Sequence, residues 1–330
     1  MDNCIDFVMP WVNGGDPAWA AERSLYREDT DDVCRYRDWD NLHYWFRSVE
    51  NFAPWVNCIH FITWGHLPSW LNTGHPKLHI VNHADYIPAE YLPTFSSHPI
   101  ELNIHRIQDL SERFVYFNDD MFITRPTKPD AFFRGGLPCA QASLDYIPSA
   151  NSRIAFQHIL MNDTGVINRH FNKTEVMKRN CFKWYHPRYG AKANVKTLLL
   201  SWANSFPGIK MHHLPASFLK STFEEVWERE KETLNETCMR KFRDCRDVSQ
   251  RMFQCWQLAS GLFYPINTKS LGRSFSLPRD ARPLFEAIRK QLHPMVCAND
   301  TEDCVNFEEL QMELINSFES ILPQKSSFEV

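Results

Sequence analysis

No stretch of the chain approaches the ~18 consecutive apolar residues that a membrane-spanning helix needs. The opening, MDNCIDFVMPWVNGGD, carries acids early and lacks a basic region followed by an apolar one, so it does not read as a signal peptide. There is no Lys/Arg block, and the formal net charge is −4, which leaves no basic field for nucleic acid. The ten cysteines include no C-x-x-C pair, so reduced thiols in a cytoplasmic protein are expected. Asn-x-Thr tripeptides at Asn162, Asn172, Asn235 and Asn299 matter only in a secretory setting. Repeats, low-complexity segments and a clear linker between domains are also lacking.

What is present suits a soluble globular protein. The 330 residues, 43 % apolar and 23 % charged, can enclose a large core. The first ~135 residues alternate between two periods. Ile5–Trp11, Cys58–Trp64, Leu78–Val81 and Phe114–Phe117 read as buried strands. Leu42, Trp45, Phe46 and Val49 recur at helical spacing until Pro54 approaches, Pro68–Leu71 reads as one helical turn, and Ile100, Ile104 and Ile107 form a second stripe. This order predicts an α/β fold with a mostly parallel sheet flanked by helices. Residues 136–330 read as mostly helical, with helices near Ser152–Met161, Ala193–Ala203, Phe223–Thr233, Val248–Ser260, Arg282–Gln291 and Phe307–Ile321. The expected division is an α/β core, 1–135, and a mostly helical part, 136–330, within one continuous domain.

Four groups of residues could carry chemistry. Asn118-Asp119-Asp120 interrupts an apolar run, FVYFNDDMFI, where a parallel strand should end. Polar residues there face the crevice in which open α/β sheets bind ligands, and paired carboxylates suit Mg²⁺ or Mn²⁺ on phosphates. A surface turn is the alternative. Asp6 lies inside an apolar strand that leads to WVNGGD, either a plain turn or a backbone approach to phosphate. His212, His213, Arg243 and Arg246 offer proton transfer and phosphate binding, but with 14 histidines in the chain any one is more readily structural. Asn299-Asp300 follows the apolar segment His293–Cys297 and could equally be a helix cap.

Taken together, the longer stretches say more. IDFVMPWVNGGDPAW, RYRDWDNLHYWFRSVENFAPWVNCIHFITWGHLPSWL and LPTFSSHPIELNIHRIQDLSERFVYFNDDMF resemble the Stealth family of sugar-phosphate transferases. MHHLPASFLKSTFEEVW with FRDCRDVS, and VCANDTED, resemble its later blocks. The family includes bacterial capsular and exopolysaccharide phosphotransferases and the animal N-acetylglucosamine-1-phosphotransferase. The resemblance implies a Rossmann-like, glycosyltransferase-A-like core. It also implies transfer of a sugar-1-phosphate, by default N-acetylglucosamine-1-phosphate from UDP-GlcNAc, to a glycan hydroxyl, forming a phosphodiester and releasing nucleoside monophosphate.

By position, Asp6, Asp120, His213 and Arg243 match catalytic residues of that family. Asp6, Asp119, Asp120, Asn299 and Asp300 match metal-site positions. Trp11, Asn13, Gly14, Arg37, Arg47 and Asn118 would hold the donor, and Arg246 is a register alternative to Arg243. Whether Asp6 or His213 is the base stays open. The implied partners are a nucleotide-sugar and a glycan acceptor, with a peripheral membrane assembly complex as a further possibility, although no amphipathic basic helix is legible. The rivals are a metal-dependent glycosyltransferase releasing nucleoside diphosphate, a nucleotide-sugar phosphodiesterase and a non-catalytic glycan-binding protein.

Overall fold

Four of the expected strands pair into one sheet. The computed structural model describes residues 4–26, 37–148, 155–301 and 306–330. In it Ile5–Pro10 (β1), Ile59–Thr63 (β2), Leu78–Asn82 (β3) and Arg113–Tyr116 (β4) run parallel in the order β3-β2-β1-β4. Met121–Ile123 (β5) then leaves this sheet, and Phe133–Arg134 (β6) and Leu137–Ala140 (β7) form a short hairpin. Later in the chain come Ala216–Leu219 (β8), Tyr264–Pro265 (β9), Gly272–Leu277 (β10) and Met295–Asp300 (β11). β8 adds to β4 antiparallel and closes that edge. β10, β11 and β5 make a second sheet, and β6, β7 and β9 a third.

β1, β2 and β4 are buried on both faces, as parallel strands covered by helices must be, while the edge strand β3 is half-buried. Ile5, Phe7 and Met9 of β1 join one core with Trp45, Phe46 and Val49 of the helix Leu42–Phe52. Val8 points the other way, into a core with Phe114, Tyr116 and Phe253. The second sheet and the helices Ala281–Arg289 and Phe307–Glu319 cover the first face. The helices Ala155–His170, Lys220–Arg229 and Arg251–Ser260 cover the second. Among the described residues, no helix is long and apolar enough to cross a membrane.

Several expected elements differ in detail. The helix anticipated at Phe223–Thr233 is two, Lys220–Arg229 and Lys231–Met239. Glu230 breaks it, because its buried carboxylate is drawn in by Arg169 and His170. The Ile100–Ile107 stripe is a short helix, Ser97–Leu102, and a 3₁₀ turn, Ile104–Arg106. Asn103 separates them by donating its side-chain amide to the Pro99 carbonyl, 2.8 Å. Pro68–Leu71 forms one hydrogen-bonded turn, and Leu71 then bridges to Glu329. The expected start at Ser152 lies outside the described residues, and the helix described there is Ala155–His170. "Mostly helical" missed β8, β10 and β11, which bind residues 216–300 to the sheets of the first part.

Asp163, on the helix Ala155–His170, gives the core a pH dependence. It is 2 % exposed and accepts from the Ser249 amide (2.8 Å) and hydroxyl (2.7 Å). Burial pushes its carboxyl up to about 7 from an ordinary 3.8. A raised acid stabilises the fold below its unfolded pKa, and that stability is lost as pH climbs through the folded value. Asp163→Asn, which has no charge to bury, is expected to be more stable than the parent at pH 8 by about 1–3 kcal/mol and to lose that advantage at pH 5. Urea midpoints at the two pH values measure it. An equal difference at both would mean that Asp163 is already ionised at pH 5.

Candidate active site

Strand topology gathers the acids, the histidine and the asparagine at one edge of the main sheet. β4 ends as Phe117 donates its amide to the Val8 carbonyl, 2.9 Å. Asn118–Met121 then forms a turn, Met121 N to Asn118 O 3.1 Å, and β5 enters the second sheet. The apolar residues on either side of Asn118-Asp119-Asp120 thus belong to two different sheets, and the polar turn lies between them. β11 runs antiparallel to β5 with Cys297 opposite Met121, and the Ala298 amide donates to the Asp120 carbonyl, 2.8 Å. That register brings Asn299 and Asp300 to the turn. β8 is antiparallel to β4, with Ala216 opposite Tyr116, so the residues entering β8, His213 among them, arrive where β4 ends.

Asp120 is the hub. Its Oδ2 lies 3.2 Å from His213 Nε2 and 3.1 Å from Cys297 Sγ. Among the described residues its Oδ1 is buried without a hydrogen-bond partner, an expensive state for a carboxylate oxygen. Burial and the neighbouring Asp120 push the Cys297 thiol well above its usual range, so it stays protonated and donates. Asp119 keeps an exposed edge at the floor of the cleft. The surrounding protein and then Asp120 push its carboxyl up to about 7.

The tautomer of His213 follows from its neighbours. Arg251 NH2 lies 3.4 Å from Nδ1. An arginine can only donate, so in the neutral ring Nδ1 accepts and the proton sits on Nε2, facing Asp120.

Three adjoining cavities meet at Asn118 and Arg243. One, about 550 Å³, is polar and holds His213, Arg251, Gln254, Ser274 and Asn299. A second is walled by Trp11, Trp19, Phe95 and Phe242 and reaches Asp119. The third runs past Asp119 and Asp120 to Arg37, Trp39 and Asp300. Arg243 projects into this junction with one NH2 bond to Ser97 Oγ, 2.7 Å.

Most expected site residues meet there: Trp11, Arg37, Asn118, Asp119, Asp120, His213, Arg243, Asn299 and Asp300. The carboxylate of Asp300 is engaged by Arg37 NH1, 3.2 Å, and Trp39 Nε1, 3.1 Å. Asn13 and Gly14 line none of the three cavities. Asn13 Oδ1 takes the Gly15 amide and the turn leads into the helix Pro17–Ser24, capped by Asp16.

Three of the expected site residues lie away from this junction. Asp6 sits at the opposite end of β1, beside Phe114 rather than beside the Asn118 turn, and is fully buried. It accepts from Asn57 Nδ2 (2.8 Å) and the Ser111 amide (2.8 Å) and lies 3.2 Å from His60 Nε2. Arg47 is buried and clamps the C-terminal segment through Glu329, Glu319 and the Leu322 carbonyl. Arg246 lies on the outer surface, forked onto Asp244 at 2.7 and 2.9 Å, away from the junction that Arg243 enters.

Sequence reasoning missed Arg251, Cys297 and Trp39. Arg251 left one signal: a cation in the first turn of a helix opposes the macrodipole, so such a residue is placed there for another purpose.

Asp119, Asp120 and Asn299 line the same cleft and offer the oxygen atoms that a hard divalent cation takes, with one Asp120 oxygen buried and unpartnered among the described residues. Asp120, His213 and Cys297 form a second grouping, with ligand atoms within 4.8 Å of one another.

Comparison with known proteins agrees with the geometry. Residues 5–31 match the Stealth protein CR1, conserved region 1, and residues 35–139 the CR2, conserved region 2. The chain is 38 % identical over 332 residues to a capsular polysaccharide phosphotransferase WcwK of Streptococcus pneumoniae, covering 98 % of each. It is 38 % identical over 336 residues to the receptor polysaccharide phosphotransferase WefC of Streptococcus oralis, covering 99 % of this chain and 100 % of that one. The crystal structure of the galactosyltransferase LgtC with donor and acceptor sugar analogs aligns over 94 % of this chain and 95 % of that one, at 11 % identity and a TM-score of 0.40. With regions 1 and 2 matched and near-complete alignment to curated relatives, this chain belongs to the Stealth family of polysaccharide phosphotransferases.

Proposed function

We propose that the protein transfers a sugar-1-phosphate from a nucleotide-sugar to a hydroxyl of a glycan acceptor, in capsule or exopolysaccharide synthesis. UDP-N-acetylglucosamine is the donor to try first, on the strength of the family resemblance. The observation that carries the reading is the divided carboxylate of Asp120. Oδ2 holds His213, while the buried Oδ1 has no partner until a cation arrives.

Asp119, Asp120 and Asn299 would hold Mg²⁺ or Mn²⁺, which supplies charge neutralisation for the diphosphate. The chain's own residues do the rest. Arg243, at the junction of the cavities, binds the transferred phosphoryl oxygens, and Arg37 lies farther along the same cleft. The acceptor hydroxyl displaces the long Arg251 contact and gives its proton to His213 Nδ1. Asp120 stabilises the imidazolium through Nε2–H. The acceptor oxygen bonds to the sugar-bearing phosphorus, the bond from that phosphorus to the bridging oxygen breaks, and nucleoside monophosphate leaves. Phosphoryl transfer asks the protein mainly for positioning and charge, which this cleft offers.

The test is product analysis with a panel of nucleotide-sugars, Mg²⁺ or Mn²⁺ and a glycan acceptor. UMP together with a phosphodiester-linked sugar is expected. UDP with a plain glycosidic bond, or donor breakdown by water alone, would overturn the reading.

A further inference from the structure

The helix Ala191–Leu200 turns its apolar side outward. At 100° per residue, Lys192, Val195, Leu198, Leu199 and the following Trp202 share one face about 120° wide. Val195 is 53 % exposed, Leu198 62 %, Leu199 65 % and Trp202 82 %, whereas Thr197, on the opposite face, is buried. An amphipathic helix of a core points its apolar side inward, so this face is built for another medium. The neighbouring turn adds Phe182, 87 % exposed.

Charge identifies the medium. Residues 164–215 contain nine Lys or Arg and a single acid, Glu175, in a chain whose net charge is −4. Lys178, Arg179 and Lys192 are exposed. Arg188 is also exposed, and among the described residues its side chain bonds the Tyr264 hydroxyl and the Pro265 carbonyl, neither of which carries a neutralising charge. Lys173 ties the preceding helix, Lys173–Arg179, to the end of this one by donating to the Ser201 carbonyl, 2.6 Å. Lys196 pairs with Asp145 and Arg169 with Glu230, but exposed tryptophan and leucine sharing a face with Lys192, in a stretch this rich in cations, match an anionic lipid surface, where the apolar face sinks to the headgroup boundary and the cations meet the phosphates. A second copy of the chain would bring the same cations face to face, which disfavours self-association here.

We propose that this face docks the protein on an anionic bilayer. This rests on the surface alone and stands whether or not the proposed reaction is correct.

Co-sedimentation with phosphatidylglycerol-containing and pure phosphatidylcholine vesicles tests it. The parent chain is expected to bind the former at least tenfold more tightly, with binding falling as salt rises. Leu199→Glu with Trp202→Ser should abolish binding, and Lys192→Gln should weaken it about fivefold. These exposed substitutions should leave the melting temperature and the turnover of a soluble acceptor unchanged. Failure of the parent to bind anionic vesicles overturns the proposal. So does a parent dimer in sedimentation equilibrium that the double variant dissolves, because that face would then be an interface between copies.

Discussion

Asp120→Asn is expected to lower the rate of sugar-phosphate transfer about 10²–10³-fold, the usual cost of losing one preorganised electrostatic group, with the melting temperature held or raised. Two functions fail together. The amide no longer offers the cation a charged Oδ1, and at Oδ2 it no longer holds the His213 proton with a full negative charge. Mn²⁺ affinity, measured by titration calorimetry without turnover, should fall in parallel. Asp119→Asn should weaken the metal but spare the His213 contact, so its kcat deficit should shrink at saturating Mn²⁺ whereas that of Asp120→Asn should not. An Asp120→Asn enzyme within threefold of the parent, with unchanged metal affinity, would remove Asp120 from the centre of the site.

The elements legible in the sequence are those whose partners lie close in the chain or whose two faces are both apolar. β1, β2, β3 and β4 stood out because near-continuous apolar runs have few other uses. β8 and β11 did not, because the strands they add to, β4 and β5, lie 100 or more residues away in the chain. The same limit applies to the site. Asn118-Asp119-Asp120 announces itself, because polar residues in an apolar run need a reason. Arg251 gives His213 its tautomer across 38 residues, a relation that no periodicity encodes. The helix near Ala193–Ala203 was found, but pattern alone assigns an apolar stripe to the core, and only the fold shows Leu198 and Trp202 facing outward. Asp6 shows the converse error. An acid inside a strand is unusual whether it serves a substrate or the fold, and the register of β1 decides which: Asp6 lies opposite Phe114, four residues before the turn that carries the acids.

Asp6→Ala should therefore unfold the protein more readily and leave its chemistry intact. Burial alone would push the Asp6 carboxyl up, but bonds from His60, Asn57 and Ser111 outweigh it and hold the pKa below the ordinary value. A lowered acid stabilises the fold above its unfolded pKa, and that contribution is lost as pH falls through the folded one. Truncation strands the Asn57 amide, the Ser111 N–H and a His60 that already faces His79 at 3.0 Å. Breaking a buried, hydrogen-bonded ionic group in this way costs about 3–5 kcal/mol. Urea unfolding at pH 7 should show that loss, and the parent's advantage over the variant should shrink towards acid. At 10 °C, kcat per folded molecule should stay within threefold of the parent, in contrast to the Asp120 variant. A variant with normal urea resistance and no turnover would mean that β1 delivers Asp6 to the reaction after all. The cleft would then have to close across the length of the strand, a motion that the pairing of β1 with β2 and β4 on either side opposes.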